Sequence, residues 1–110
     1  MGDEVLLAFC TFPDFETAGK AVRELVEQRL VACGNILPGV HSVYRWKNEI
    51  ESNEEVLAIV KLDSSCYARF EANLRSLHPY EVPEIIAISL SKGLPDYLNW
   101  VRESCGPGAG

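Results

Sequence analysis

The residue types best suited to chemistry gather in one short run, His78-Pro79-Tyr80-Glu81-Val82-Pro83-Glu84. An imidazole near the C-terminal end of a helix has its cationic form favoured and can offer either nitrogen to a ligand, while flanking prolines fix the chain direction at little further entropic cost. The same run could also do no more than cap a helix and shape a turn. Cys10, far away in sequence, supplies a soft sulfur, and a thiolate beside an imidazole suits copper or zinc. One Cys and one His leave at least two coordination positions to water, a carboxylate or another subunit, so a metal site within one chain is incomplete. A Cys–His couple can also activate a thiol nucleophile. No obvious third group orients His78, however, and no motif supplies an oxyanion hole, so the expectation is a protein that is not an enzyme. Tyr44, Trp46, Tyr80 and Trp100 join apolar rings to polar edges and could line a pocket between subunits or serve as interface core. Gly34, Gly39 and Gly93 stand alone, so no phosphate-cradling loop is available.

The chain that must position these groups has 110 residues, the size of one compact domain. Hydrophobic residues make up 47% and charged residues 24%, which suits a packed core and excludes a disordered class. A net charge of -6 with basic residues scattered from Lys20 to Arg102 leaves no positive stripe, so nucleic acid is not an expected partner. The apolar run Val5 to Phe12 is too short to cross a membrane, and the acidic Asp3 and Glu4 precede it, so a cytoplasmic protein is expected. Cys10, Cys33, Cys66 and Cys105 form no C-x-x-C pair and read as reduced thiols, with Cys33 and Cys66 as packing residues.

Val5 to Phe12 is apolar on both alternating faces and rich in branched and aromatic residues, as a central strand requires. Asp14 can cap a helix over Phe15 to Arg29, where Ala18, Ala21, Val22, Leu25 and Val26 recur at helical spacing. Val31 to Trp46 reads as a long second strand bent at Pro38-Gly39, and Lys47-Asn48 makes a tight turn into a return strand that ends at Asp63-Ser64-Ser65. Ser64 or Ser65 can cap a second helix with Tyr67, Phe70, Leu74 and Leu77 on one stripe, which Pro79 must terminate. Glu84 to Leu90 is a fourth strand, and Pro95 opens a short helix bearing Tyr97, Leu98, Trp100 and Val101. The tail from about residue 104 is expected to be flexible.

The order is βαββαβ, an α+β ferredoxin-like arrangement: an antiparallel sheet with two helices on one face, plus a short C-terminal helix. Cys10, near the end of the first strand, and Glu84, at the start of the fourth, then lie on neighbouring strands. The second and third strands outrun the others, and their far ends cannot be covered by this chain alone. An edge carrying Val40, Val43, Tyr44 and Trp46 needs pairing, and the acidic cluster Glu49, Glu51, Glu54 and Glu55 protects only the tip. Self-association through the hairpin is expected.

Four separated blocks occur in order: Leu30-Val31-Ala32-Cys33-Gly34-Asn35-Ile36-Leu37-Pro38-Gly39, Ser42-Val43-Tyr44-Arg45-Trp46, the His78 to Glu84 run, and Tyr97-Leu98-Asn99-Trp100. Together they resemble the CutA-type divalent-cation tolerance family over nearly the whole chain. The resemblance implies a homotrimer built through the long hairpin and a non-enzymatic role in tolerance of divalent metals, notably copper. It implies Cys10 and His78 as copper ligands, with Glu84, Glu81, Tyr80 and Trp46 as pocket residues or additional ligands. Some members carry two consecutive histidines before the proline; here Leu77 takes the first position, so one ligand is absent and any site would be weak and labile. The family also resembles the nitrogen-regulatory PII proteins, which implies a second possibility: a signalling trimer whose intersubunit clefts take a small molecule. A scaffold for a protein partner is a third.

Overall fold

Alternation along β1, Val5–Phe12, sets the layering of the molecule. Leu6, Ala8, Cys10 and Phe12 point to one face, where Ala8, Cys10 and Phe12 are buried. The computed structural model describes residues 4–106. β1 leads into α1, Phe15–Glu27, whose first turn is capped by the Asp14 carboxylate accepting from the Thr17 amide at 2.7 Å. β2, Cys33–Trp46, and β3, Glu49–Asp63, form the hairpin; α2 spans Tyr67–Leu77, β4 Ile85–Ser89 and α3 Pro95–Ser104. The sheet order is β2-β3-β1-β4 and every pairing is antiparallel. The expected ferredoxin-like architecture is therefore the one observed.

The core lies between the helices and one sheet face. Ala18, Ala21, Val22 and Leu25 of α1, Phe70 and Leu74 of α2, and Val101 of α3 join Ala8, Cys10, Phe12, Val56, Ala58, Val60 and Leu62 in one buried cluster. Gly34 of β2 is required by this closeness: a Cβ there would stand 2.6 Å from Val22 Cγ1 and 3.0 Å from Val60 Cγ1. The other sheet face has no described helix over it. Leu7, Phe9, Leu57 and Ile59 are only half-buried, and Ile86 and Ile88 are 52% and 53% exposed.

The ends of the elements show where local chemistry competed. α1 stops at Glu27, two residues short of the expected Arg29, because Arg29 adopts the left-handed region (φ 61) and the Leu30 amide reaches back to the Leu25 carbonyl at 3.0 Å. β2 starts at Cys33 rather than Val31. The cap after β3 is Asp63, not Ser64 or Ser65: its carboxylate accepts from the Ser65 amide at 3.1 Å and opens a 3-10 turn, Ser64–Cys66, ahead of α2. The expected bend falls between Leu37 and Val40, with Gly39 at φ 81, and the Lys47-Asn48 turn has both residues left-handed (φ 51 and 68) as a tight hairpin requires. Within the tail expected to be flexible, Arg29 holds residues on both sides of Cys105: its guanidinium donates to the Glu103 and Gly106 carbonyls at 2.7 and 2.8 Å, and Cys105 is buried. Residues 107–110 lie outside the described residues.

β3 pairs with β1 only as far as Val56 opposite Phe12, whereas its pairing with β2 continues to Glu49 opposite Trp46. The far half of the hairpin thus leaves the sheet as a two-stranded ribbon, and the molecule measures 46 × 26 × 22 Å.

Candidate functional site

Pro79 forbids helical geometry at His78, so α2 ends at Leu77 and His78 turns extended (ψ 137). That turn delivers the imidazole to the end of β1. The ring stacks on Phe12, with centroids 4.6 Å apart and planes 22° apart, and only 8% of the residue is exposed. Nε2 lies 2.7 Å from the Thr11 carbonyl oxygen, and Nδ1 accepts the Tyr80 amide at 3.1 Å. A backbone amide can only donate and a carbonyl can only accept. Those two partners therefore define a neutral imidazole with its proton on Nε2. Burial pulls the His78 pKa below its ordinary value, against the opposing pull of the Thr11 bond and the Glu55 charge.

The Cys10 thiol donates to the same Thr11 carbonyl, with sulfur 3.7 Å from the oxygen. Cys10 and His78 thus share one acceptor, the Thr11 carbonyl. Cys10 pairs with Ile85 across to β4, which puts Glu84 beside that strand position. Burial, then the charges of Glu84 and Glu55, push the Cys10 pKa up to about 12, so the group is a thiol at neutral pH.

The loop then builds outward. Tyr80 lies against His78, ring centroids 4.7 Å apart, and its hydroxyl donates to Glu55 Oε2 at 2.6 Å. Its pKa is raised, first by burial and then by that bond. A groove of about 740 Å³ opens between this loop and the hairpin, and Glu81, Glu84, Trp46, Tyr44, Glu55 and Tyr80 are among its walls.

The comparisons with known proteins agree with this frame. The model of the CutA1 divalent ion tolerance protein family matches residues 6–104. The chain belongs to that family. A divalent-cation tolerance protein from Thermus thermophilus is 41% identical over 104 residues, covering 94% of this chain and 99% of that one. Its solved structure superposes with a TM-score of 0.90 at 39% identity, covering 93% of this chain and 99% of the other. The Mus musculus protein CutA is 43% identical over 99 residues, 90% of this chain but 56% of the mouse protein, so the chain spans about half of that longer relative. A structure titled as the periplasmic divalent cation tolerance protein CutA of Archaeoglobus fulgidus covers 91% of this chain and 97% of its own at 33% identity, with a TM-score of 0.88.

Within the family frame, the geometry of the expected ligand pair can be tested directly. Both nitrogens of His78 are committed to backbone groups, and Cys10 is a buried thiol that aims its proton at the carbonyl His78 also uses. Among the described residues, no group of three or more His, Cys, Asp or Glu side chains is disposed to hold a metal ion. As they stand, Cys10 and His78 do not fit a preformed metal centre.

Of the other expected pocket residues, Trp46, Tyr44, Tyr80, Glu81 and Glu84 all reach the groove. Trp100 does not: it packs at 5.6 Å against Tyr97 on α3. Glu55 departs most from expectation. It is no guard of the hairpin tip but a 9% exposed carboxylate under Tyr80, opposite Val40. Period-two spacing puts Glu55 on the face of Leu57 and Ile59, which no described helix covers, so its burial comes from the Tyr80 loop and has no signal in the local pattern. No described helix is long and apolar enough to cross a membrane.

Proposed function

We propose that the chain acts as a non-enzymatic homotrimer that contributes to tolerance of divalent cations, copper among them. The observation that carries the assembly is the uncovered sheet face, where Ile86 and Ile88 lie open beside half-buried Phe9 and Ile59, continuous with a ribbon that no other described strand pairs. Such a face with an unpaired edge favours burial against copies of itself. The number three is what the resemblance to the divalent-cation tolerance family implies. Sedimentation equilibrium at micromolar concentration should return three times the 12.2 kDa chain mass, and a stable monomer would overturn the assembly.

The absence of a reaction is supported by the site itself: the thiol nearest an imidazole is protonated, and that imidazole has neither nitrogen free to act as a base. Copper contact at Cys10 and His78 requires the Cys10 proton to leave and His78 to give up Thr11 or Tyr80, which makes any such site weak, labile and poorer in acid. Copper titration of wild type, Cys10→Ser and His78→Ala is the test, and equal binding by all three rejects the pair. A cytosolic setting is supported by four cysteines that stand as free thiols.

The groove favours a second reading, in which the assembly receives a small molecule there. Its volume suits one, and rigid prolines at 79 and 83 hold its loop wall.

A further inference from the structure

We infer that Cys66 and Cys105 form a redox-sensitive thiol pair, which hydrogen peroxide joins into a disulfide tying the end of α3 to the turn ahead of α2.

The two sulfurs come from distant parts of the chain and meet. Cys66 closes the 3-10 turn after β3 and is fully buried, whereas Cys105 follows α3 and is 8% exposed. Their side chains are in hydrogen-bond contact. Asp63 positions both. Its carboxylate accepts from the Ser65 amide and so sets the turn that carries Cys66, while its backbone hydrogen-bonds the Cys105 sulfur. Arg29 pins Cys105 from the other side: its carbonyl accepts the Gly106 amide at 2.8 Å, and its guanidinium donates to the Glu103 and Gly106 carbonyls. Thiols held in contact by fixed backbone need no chain search before they join. The Cys10 and Cys33 sulfurs face the Thr11 carbonyl and the Tyr97 hydroxyl instead.

The chemistry balances with one molecule of peroxide per pair. The Cys105 sulfur, as its proton leaves, attacks one peroxide oxygen and the O–O bond breaks. The departing hydroxide takes that proton as water, and Cys105 is left as a sulfenic acid. The Cys66 sulfur then displaces hydroxide from the sulfenic sulfur, which forms the S–S bond, and the Cys66 proton completes a second water. Each sulfur loses one electron, and the two peroxide oxygens gain them. Exposure sets the order, because peroxide is scarcely larger than water and reaches Cys105 first. Arg69 donates to the Cys66 sulfur at 3.9 Å, so a positive charge stands at the sulfur that must lose its proton in the second step. Asp63 Oδ1, buried and without a hydrogen-bond partner among the described residues, belongs to a carboxylate whose charge acts on Cys105, and it can relay the first proton. Burial pushes the Cys105 pKa up to about 11 against the Asp63 backbone bond, so the reaction is slow at neutral pH and faster in alkali.

The test treats the assembled protein with hydrogen peroxide, blocks remaining thiols with N-ethylmaleimide in denaturant, and digests with trypsin without reduction. Cleavage after Lys61, Arg69 and Arg102 puts Cys66 in peptide 62–69 and Cys105 in peptide 103–110, both separate from Cys10 and Cys33. The expected product joins these two peptides, is undone by dithiothreitol, and forms about tenfold faster for each unit of pH between 7 and 9. Because the bond closes the loop from residue 66 to residue 105, it should raise the thermal midpoint by about 5–10 °C. Cys66→Ser and Cys105→Ser should each abolish the crosslink and leave the midpoint unmoved by peroxide; Cys105→Ser, nearer the surface, is the variant with less effect on folding. Disulfides spread over Cys10 and Cys33, or Cys105 carried to the sulfinic acid without a crosslink, would overturn the pair. So would oxidation of Cys33 at peroxide levels that leave both members untouched. A crosslink that lowers the midpoint would also overturn it, since the native backbone would then have to distort to make the bond.

Discussion

His78 is locked to Thr11 by a 2.7 Å contact from Nε2 to the carbonyl while its other nitrogen accepts the Tyr80 amide. Both bonds together need the neutral ring. Protonation puts a hydrogen on Nδ1 and sets it against the Tyr80 N–H. The folded-state pKa is depressed, so between that value and the ordinary histidine value the unfolded chain binds more protons. The stabilising contribution is therefore fully present above the ordinary value and is lost as pH falls through the folded one. Denaturant midpoints of wild type should drop between pH 7 and pH 5 by more than those of His78→Gln. His78→Ala should lose about 2 kcal/mol at pH 7, through the Phe12 stacking and the Thr11 bond. Parallel pH dependence in wild type and His78→Gln would show that the ring does not titrate in this window.

Tyr80 and Glu55 form the second fastener of the loop. Tyr80→Phe keeps the ring and removes the donor, which strands a nine-tenths buried carboxylate oxygen without its partner. The expected cost is about 1–3 kcal/mol. Glu55→Gln in the same background should restore part of it, because a neutral amide tolerates burial better than an unpartnered charge. A double-mutant cycle with no coupling between the two positions would contradict the contact.

Thiol reactivity follows burial and charge. With its pKa pushed up to about 12, Cys10 has almost no thiolate at pH 7.5, and Cys66 is fully buried while Cys105 is 8% exposed. Cys33 is only partly buried, with its sulfur 3.4 Å from the Tyr97 hydroxyl. Iodoacetamide should thus label Cys33 first in the native protein and the other three only after denaturation, as peptide mass spectrometry would report. Rapid native labelling of Cys10 would reopen the possibility of a thiol nucleophile.

Pro79 and Gly39 impose backbone geometry whatever surrounds them, and the Lys47-Asn48 turn is set by the two strands it joins, so the end of α2, the bend and the hairpin are legible in the amino-acid sequence and fall where expected. That Cys10 lies beside the start of β4 and Glu84 follows from topology, whereas its pairing with His78 is what the family resemblance implies. Which groups Cys10 and His78 bond follows from neither, because the Thr11 carbonyl carries no side-chain signature. The Tyr80 to Glu55 bond spans 25 residues and joins a loop to a strand, a lateral contact that no local pattern encodes. The cap at Asp63 instead of Ser64 or Ser65 turns on three adjacent side chains that can all cap, a choice settled by backbone direction at the end of β3.

The uncovered sheet face yields the most direct test of assembly. Ile88 pairs with Leu7 on β1 and Ile86 with Phe9, so both side chains belong to the face opposite the helices and make no part of the buried core. Ile88→Asp therefore places a charge where a monomer would present it to water but an assembled face would bury it. If three copies cover this face, the substitution should convert the protein to monomers in sedimentation velocity runs while retaining its secondary structure by circular dichroism. Phe70→Ala is the contrasting variant, because it hollows the core behind α2, where the ring is 1% exposed, at a cost of about 3–5 kcal/mol. It should lower stability at any concentration, whereas Ile88→Asp should act through association. An Ile88→Asp protein that stays fully trimeric would mean that copies meet through the ribbon alone and leave this face in water.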